Sequence, residues 1–373
     1  MSATIDGAKP VREGEALDLD QLAAWLGVRP ELGLLGEIRV EQFPSGYSNL
    51  TYLLTIGPRE VVLRRPPFGK TVSSGHDMSR EHRVLSALAP VYPLAPVPLA
   101  FCDDPSVLGA PFYLMERRRG VIIRRQPPKG MVIDERRARQ LSTALIDGLA
   151  DLHAIDWRAA GLADLGKPEG YARRQISGWT RRWQGAQTDP LPVMDEVAAW
   201  LDAELPAQAD ATGDGGPALI HNDYKYDNVV LELGDAVGDS TGSRAAPARI
   251  TAVLDWEMAT IGSPLMDLGT TLGYWVDRSD DPRLQGAAFG PTNLPGSLDR
   301  AGLVERYRER SGREVADPHY YYVFGLFKIA VIGQQIYARY RQGSTKDPRF
   351  AALGHFVSVL AEVAAAAIER QRL

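Results

Sequence analysis

The sequence predicts an α+β protein with two lobes: a small antiparallel β lobe containing one helix, followed by a larger, mainly helical lobe. In the first third of the chain, extended apolar segments alternate with turn residues, and Gly57 and Pro58 mark a hairpin between residues 51–56 and 60–64. Long segments with helical periodicity fill the remainder. At 373 residues the chain is long enough to form two such lobes.

The first lobe is assigned to residues 17–117, after a segment over 1–16 that we expect to be flexible. A short amphipathic helix is predicted over 17–26 and extended structure over 38–63. Residues 79–88 form the single inner helix, because Val84, Leu85 and Leu88 share one face. Two further strands are predicted over 98–101 and 112–115.

The second lobe is assigned to residues 118–373. Its clearest helix covers 138–153, where apolar residues recur on one side: Leu141, Leu145, Ile146, Leu149 and Leu152. Further helices are predicted over 194–205, 265–275, 301–311, 320–341 and 350–372. Two short strands, 228–233 and 250–254, flank a stretch rich in Gly, Ser, Asp and Ala.

Composition excludes several classes of function. The formal net charge of -5 argues against a nucleic-acid-binding protein, which usually carries a basic excess. The sequence has no apolar run of about 20 residues, so we expect no membrane partner. The single cysteine, Cys102, precludes an internal disulfide. The single cysteine and the lack of an apolar signal region at the start together predict a cytoplasmic protein. Nothing in the sequence specifies the oligomeric state.

The most informative motif is His221-Asn-Asp-Tyr-Lys-Tyr-Asp-Asn228, followed by Asp255 at the end of an apolar run. It places His221, Asp223 and Asn228 at the spacing H-x-D-x-x-x-x-N, which is typical of phosphotransfer catalytic loops. Such chemistry requires a carboxylate beside the attacking hydroxyl and oxygen ligands for Mg²⁺. The alternative reading is a polar connection in which Asp223 and Asn228 are turn residues.

These requirements assign roles to the motif. Asp223 is the candidate catalytic base, because a carboxylate can orient the acceptor hydroxyl and accept its proton. Asn228 and Asp255 are the candidate metal ligands, because amide and carboxylate oxygens suit Mg²⁺. His221 is interpreted as a scaffold residue whose ring holds the loop.

A cation for the phosphates is predicted at the end of the strand that contains Val62 and Arg64. Arg64, held by Glu81 at the start of the next helix, could reach the phosphates. Val62 faces the same side and could pack on a purine. Arg65 should face the opposite side. The alternative is a pair of exposed arginines on an edge strand.

The remaining candidates for nucleotide binding lie at turns and strand ends. Ser45, Gly46 and Ser48 occupy a turn that could cover phosphates, with Gly46 permitting close approach of the backbone. Met115 and Arg117 end a strand at the lobe boundary, where backbone groups could meet the adenine edge.

Together these residues resemble the aminoglycoside phosphotransferase/choline kinase-like family of the protein-kinase-like fold. The strongest segments are residues 219–229 and 253–262, and the Asp255-Trp-Glu-Met-Ala259 segment is most similar to the kinase-like domain fused to some acyl-CoA dehydrogenases. The resemblance implies the same roles for Asp223, Asn228, Asp255, Arg64 and Glu81. Arg64 replaces the family's usual lysine, and Ser263 stands where many relatives have Asp.

The sequence therefore favours a small-molecule kinase that uses Mg²⁺ and ATP, with GTP not excluded. It would transfer the γ-phosphoryl group to a hydroxyl of a small acceptor. The resemblance favours a hydroxyacyl-CoA or related metabolite over an aminoglycoside, which would require an acidic pocket. The main alternative is a non-catalytic nucleotide-binding module of the pseudokinase type. A metal-dependent hydrolase is disfavoured because no second histidine stands at ligand spacing.

Overall fold

The computed structural model describes residues 7–43, 49–68, 77–128, 130–210, 216–233, 247–286, 288–345 and 347–373. Within these ranges the protein has the α+β organisation predicted from the sequence, with a small antiparallel sheet and a helical lobe. The strands are β1 (Ile38–Gln42), β2 (Leu50–Ile56), β3 (Arg59–Arg65), β4 (Pro98–Cys102), β5 (Phe112–Glu116), β6 (Ala218–Ile220), β7 (Val229–Glu232), β8 (Arg249–Val253) and β9 (Thr260–Gly262).

The α-helices follow the predicted order. They are α1 (Leu19–Gly27), α2 (Met78–Leu88), α3 (Pro105–Leu108), α4 (Glu135–His153), α5 (Tyr171–Ala186), α6 (Pro192–Ala203), α7 (Pro264–Tyr274), α8 (Pro282–Gln285), α9 (Arg300–Ser311), α10 (Pro318–Arg341) and α11 (Leu353–Arg370). Helix α5 and the two short helices α3 and α8 were not predicted. The buried face of α5 is built from Tyr171, Ile176, Trp179 and Trp183, which alternate with arginines.

The five-stranded sheet of the first lobe has the order β1-β2-β3-β5-β4, and all its neighbours are antiparallel. Successive side chains on a strand point to opposite faces. On β3, Val61 and Leu63 therefore face an outer core that α1 covers, with Trp25 packed edge-on against Phe112 at 5.0 Å between ring centroids. Val62 faces an inner core that continues into the helical lobe.

The described part of the N-terminal segment is hydrogen-bonded to the first lobe. Lys9 and Gln42 exchange two backbone hydrogen bonds, of 2.9 and 2.8 Å. The Tyr52 hydroxyl donates to the carbonyl of Glu15 at 2.7 Å. Lys9 therefore forms an isolated β-bridge with Gln42 of β1, and the described part of this segment is attached to the sheet. The flexibility of residues 1–16 stays a prediction.

In the helical lobe, α10 lies in the centre and packs against α5, α6, α7 and α11. Two small sheets, β6 with β9 and β7 with β8, carry the segments that contain the sequence motif. Helix α2 bridges the lobes, because it contacts β4, β5 and the short helical turn at Trp256–Met258.

The C-terminal segment Pro348–Arg370 is long and apolar enough to span a membrane by those two criteria alone. Apolar core helices of globular proteins meet the same criteria, and α11 packs along α10. Its side chains Val357, Leu360, Ala361 and Ala364 are buried in the core. The expected absence of a membrane partner stays a prediction.

Candidate active site

The loop between β6 and β7 carries the motif and is fixed from below by a buried carboxylate. Asp267, in the first turn of α7, is fully buried. Its two oxygens accept from the backbone N–H groups of His221 at 2.8 Å and Asn222 at 2.7 Å. His153 at the end of α4 contacts the same carboxylate at 3.2 Å. Burial works against ionisation, but the contact with His153 keeps the pKa of Asp267 below its ordinary value.

The imidazole of His221 fastens this loop to the end of β8. Its Nε2 lies 2.8 Å from the carbonyl oxygen of Leu254, and its Nδ1 lies 3.3 Å from the backbone nitrogen of Asp223. Both contacts are satisfied by one tautomer, in which Nε2 donates and Nδ1 accepts. His221 is fully buried, which places its ring beneath the site.

The carboxylate of Asp223 is held by three donors. The Tyr274 hydroxyl donates to Oδ1 at 2.7 Å, and the Asn228 amide donates to Oδ2 at 2.8 Å. Lys225 donates to Oδ2 as well. Burial alone would raise the pKa of Asp223, but the Lys225 ammonium and these hydrogen bonds lower it below the usual value. The group is therefore ionised at neutral pH, as a proton acceptor requires.

Asn228 and Asp255 lie beside one another at the ends of β7 and β8. The backbone N–H of Leu254 donates to the carbonyl of Asn228 at 2.8 Å, so Asp255 follows directly from that pairing. Asp255 adopts a left-handed conformation with φ 67°, which turns the chain at the strand end. The Asn228 Nδ2 is used by Asp223, and its Oδ1 is the atom of the amide that suits a cation.

This donor set fits Mg²⁺ bound together with phosphates. Magnesium usually takes one or two protein oxygens and completes its coordination with phosphate oxygens and water. In the described part of the chain no group of three His, Cys, Asp or Glu side chains is placed to hold a metal by itself. Asn228 and Asp255 are thus the residues that would hold the ion, which would neutralise negative charge on the phosphates.

Arg64 lies at the centre of the inter-lobe contact. Its guanidinium is 2.9 Å from Glu81 of α2 and 3.0 Å from Asp255 of the helical lobe. Burial opposes charge on Arg64, but Glu81 and its other acidic neighbours raise the pKa well above its ordinary value. Arg65 faces the opposite side of β3, where its guanidinium lies 3.5 Å from the centroid of Phe68. The structure therefore orients Arg64 toward the motif and Arg65 away from it.

The predicted adenine-side residues lie on the same face of the sheet. Val62 pairs with Met115 across β3 and β5, and both side chains belong to the inner core. The guanidinium of Arg117 is bound to Glu60, which shares the face of β3 with Val62. Ser45, Gly46 and Ser48 lie outside the described residues. Contacts between these residues and a nucleotide stay predictions.

Sequence reasoning missed three side chains of the site. Tyr274 was considered only as part of a helix, and Lys225 only as part of the motif, although both bind Asp223. Glu257 forms the third. It accepts from the Asn49 amide at 2.7 Å and lies 3.8 Å from Arg64. The position of Lys225 two residues after Asp223 was a usable signal, whereas Tyr274 is distant in sequence.

The carboxyl group of Glu257 stays protonated to an unusually high pH in the folded protein. Burial, with Asp255 nearby, raises its pKa to about 8 from 4.5. The folded state thus binds this proton more tightly than the unfolded chain does. Its contribution to stability is present below pH 4.5 and is lost as pH rises toward 8.

Accordingly, Glu257→Gln should flatten the pH dependence of the free energy of unfolding. We expect the stability of the wild type relative to this variant to fall by on the order of 1–3 kcal/mol between pH 5 and pH 8. Urea unfolding at several pH values measures this difference. Glu305→Gln, at an exposed ion pair, is the control and should show no such trend. Parallel pH profiles for wild type and Glu257→Gln would contradict the assignment.

Comparison with known proteins decides the family. The model of the phosphotransferase enzyme family APH matches residues 39–302 of this chain, well over half of its length. The chain belongs to this family. A Ralstonia eutropha JMP134 protein, provisionally described as an aminoglycoside phosphotransferase, is 31% identical. Its structure superposes with a TM-score of 0.74. The match covers 94% of this chain and 97% of the Ralstonia protein.

More distant structures share the fold. Choline kinase from Cryptosporidium parvum Iowa II gives a TM-score of 0.58 at 12% identity, with coverage of 93% of this chain and 97% of that one. At this identity the likeness establishes the fold alone. Family membership and fold confirm the predicted kinase-like architecture and place this chain in the phosphotransferase enzyme family.

The chain also matches curated relatives that are longer proteins. Acyl-CoA dehydrogenase family member 11 of Gallus gallus is 34% identical over 333 residues, which cover 88% of this chain and 40% of the relative. Family member 10 of Mus musculus is 30% identical, covering 96% of this chain and 32% of the relative. This APH-family chain therefore spans less than half the length of these relatives.

Proposed function

We propose that this chain transfers the γ-phosphoryl group of ATP to a hydroxyl of a small metabolite, with Mg²⁺ as cofactor and GTP as an alternative donor. The observation that carries the proposal is the carboxylate of Asp223 bonded to Asn228 and Lys225, with the backbone of Asn228 paired to Leu254 just before Asp255. Such an arrangement would bring an acceptor hydroxyl and a metal–nucleotide complex together for transfer.

Each group has a task in this proposal. Asp223 orients the acceptor hydroxyl and accepts its proton as the oxygen attacks phosphorus. Lys225, next to Asp223, offers positive charge toward the transferring group. Arg64 provides the buried cation for the phosphates, and Glu81 holds it in place.

Two features of the described residues favour an acceptor other than a polycationic antibiotic. The acidic cluster of residues 277–281 could attract a polycation, but its carboxylates are already paired. Arg300 binds Asp280 at 2.5 Å and Asp277 at 3.5 Å. The small hollow beside Lys225 and Tyr274 places a cation among aromatic and polar side chains: Leu145, Lys225, Tyr226, Thr271, Tyr274, Trp275, Phe289 and Thr292. A cation at this wall suits an acceptor that carries an anionic part.

We therefore place a hydroxyacyl-CoA or a related hydroxylated metabolite first among acceptors. The names of the longer relatives, acyl-CoA dehydrogenase family members 11 and 10, support this choice because they point to acyl-CoA compounds.

The test is acceptor-dependent ADP release. The protein is mixed with Mg²⁺, ATP or GTP, and a panel of hydroxyacyl-CoA thioesters, choline, ethanolamine, sugars and an aminoglycoside. We expect turnover with a hydroxyacyl thioester, loss of turnover with EDTA, and a phosphorylated product by mass spectrometry. Turnover with the aminoglycoside alone would overturn the acceptor class. Nucleotide binding without turnover across the panel would favour a non-catalytic module.

A further inference from the structure

A buried lysine of α10 contacts the catalytic loop, residues 221–228. Lys328 is 2% exposed in a helix whose neighbouring side chains are apolar, including Phe324, Phe327 and Ile329. Its ammonium donates to the carbonyl oxygen of Asn222 at 2.7 Å and lies 3.3 Å from the Thr270 hydroxyl. Among the described residues, no carboxylate lies within ion-pair distance of it.

Burying an ammonium is unfavourable unless neighbouring groups compensate for it. Burial lowers the pKa of Lys328 to about 8, although the negative charges of Asp267 and Asp223 oppose this shift. Both carboxylates belong to the catalytic loop or to the residue that fixes it. Lys328 is therefore tied to this loop by charge as well as by its hydrogen bond to Asn222.

The atom that Lys328 binds belongs to the peptide unit that enters Asp223. Asn222 has a left-handed backbone with φ 68°, an uncommon conformation for a residue other than glycine. The carbonyl of this peptide unit accepts from Lys328, and its N–H, which belongs to Asp223, faces His221 Nδ1 at 3.3 Å. The peptide is thus held at both ends, from α10 and from within the loop.

We propose that Lys328 is a positioning residue for Asp223, acting through the carbonyl of Asn222. The inference rests on the proposed function, in which Asp223 orients the acceptor hydroxyl. Loss of the contact would let the peptide rotate and move the carboxylate relative to the acceptor. Displacement on the scale of 1 Å in such a group costs about 100-fold in rate.

The test compares Lys328→Met with a matched variant of the same helix. Gln334 is also buried on α10, and its amide donates to Ala186 and Thr188, away from the catalytic loop. For Lys328→Met we expect kcat to fall by about 10- to 100-fold with the Kd for ATP changed less than about 3-fold. Amide exchange should accelerate in residues 221–228, whereas the Tm should fall no further than it does in Gln334→Leu. Gln334→Leu should leave kcat and exchange of that loop unchanged.

Two results would overturn the proposal. One is a Lys328→Met protein with wild-type kcat and wild-type exchange in the loop. The other is a loss of activity that is accompanied by a fall in Tm and faster exchange throughout α10, with an equal loss of activity in Gln334→Leu. If Lys328→Met does not fold, Lys328→Gln, which keeps one N–H donor, is judged by the same criteria and should retain intermediate kcat. If the wild type transfers phosphate to nothing, the proposed function fails, whereas the exchange measurement still decides the role of Lys328.

Discussion

Replacing Asp223 with Asn is expected to lower kcat by about 10²- to 10⁴-fold, because the acceptor hydroxyl loses its proton acceptor. The amide keeps the size of the side chain and can still accept from Tyr274. The Kd for ATP should therefore stay within a few-fold of the wild-type value. Steady-state kinetics and calorimetric titration with ATP separate these two quantities.

Asp147→Asn is the matched control for this variant. Asp147 forms a half-buried, bidentate pair with Arg306 of α9, at 2.7 and 2.8 Å. This pair lies away from the motif, so its loss can affect stability without touching the candidate site. Its kcat should equal that of the wild type. Full activity in Asp223→Asn would refute the assignment of Asp223 as the base.

Arg64→Met is expected to have the second large effect, and it acts on stability and activity together. Glu81 is 1% exposed, so removal of its partner leaves a buried carboxylate without compensation. Breaking a buried pair in this way costs about 3–5 kcal/mol in the free energy of unfolding. Since Arg64 is also the candidate phosphate cation, kcat/KM for ATP should fall. Chemical denaturation and steady-state kinetics measure the two effects.

A double variant separates these effects. In Arg64→Met/Glu81→Leu both charges are gone, and apolar replacement of a buried pair is often neutral or stabilising. We expect the free energy of unfolding to recover toward the wild-type value while kcat/KM for ATP stays low. If activity returned together with stability, Arg64 would be a structural residue and the phosphates would be bound elsewhere.

The parts of the fold that could be read from the sequence are those with local signals. The hairpin at Gly57 and the periodic face of α4 depend on short-range patterns, and both are present. The catalytic motif could be recognised because four intervening residues separate Asp223 from Asn228, the spacing of phosphotransfer loops. The structure joins their side chains by a hydrogen bond of 2.8 Å.

The parts that could not be predicted depend on contacts between distant segments. Tyr274 reaches Asp223 only because α7 packs beneath the loop, a relation that no local pattern expresses. Lys328 lies more than a hundred residues after Asn222, in a segment whose composition indicated only a core helix. Helix α5 was missed because arginines stand between its apolar residues along the sequence. The apolar face becomes visible only when the segment is folded as a helix.

The alternation along β3 has a consequence for how this enzyme can change. Val61 and Leu63 contribute to the layer beneath α1, whereas Val62 and Arg64 face the inner core and the motif. Substitutions beneath α1 can therefore change thermal stability while the side chains beside the motif stay in place. Substitutions one position away along the same strand act on stability and on the candidate site together, as expected for Arg64→Met.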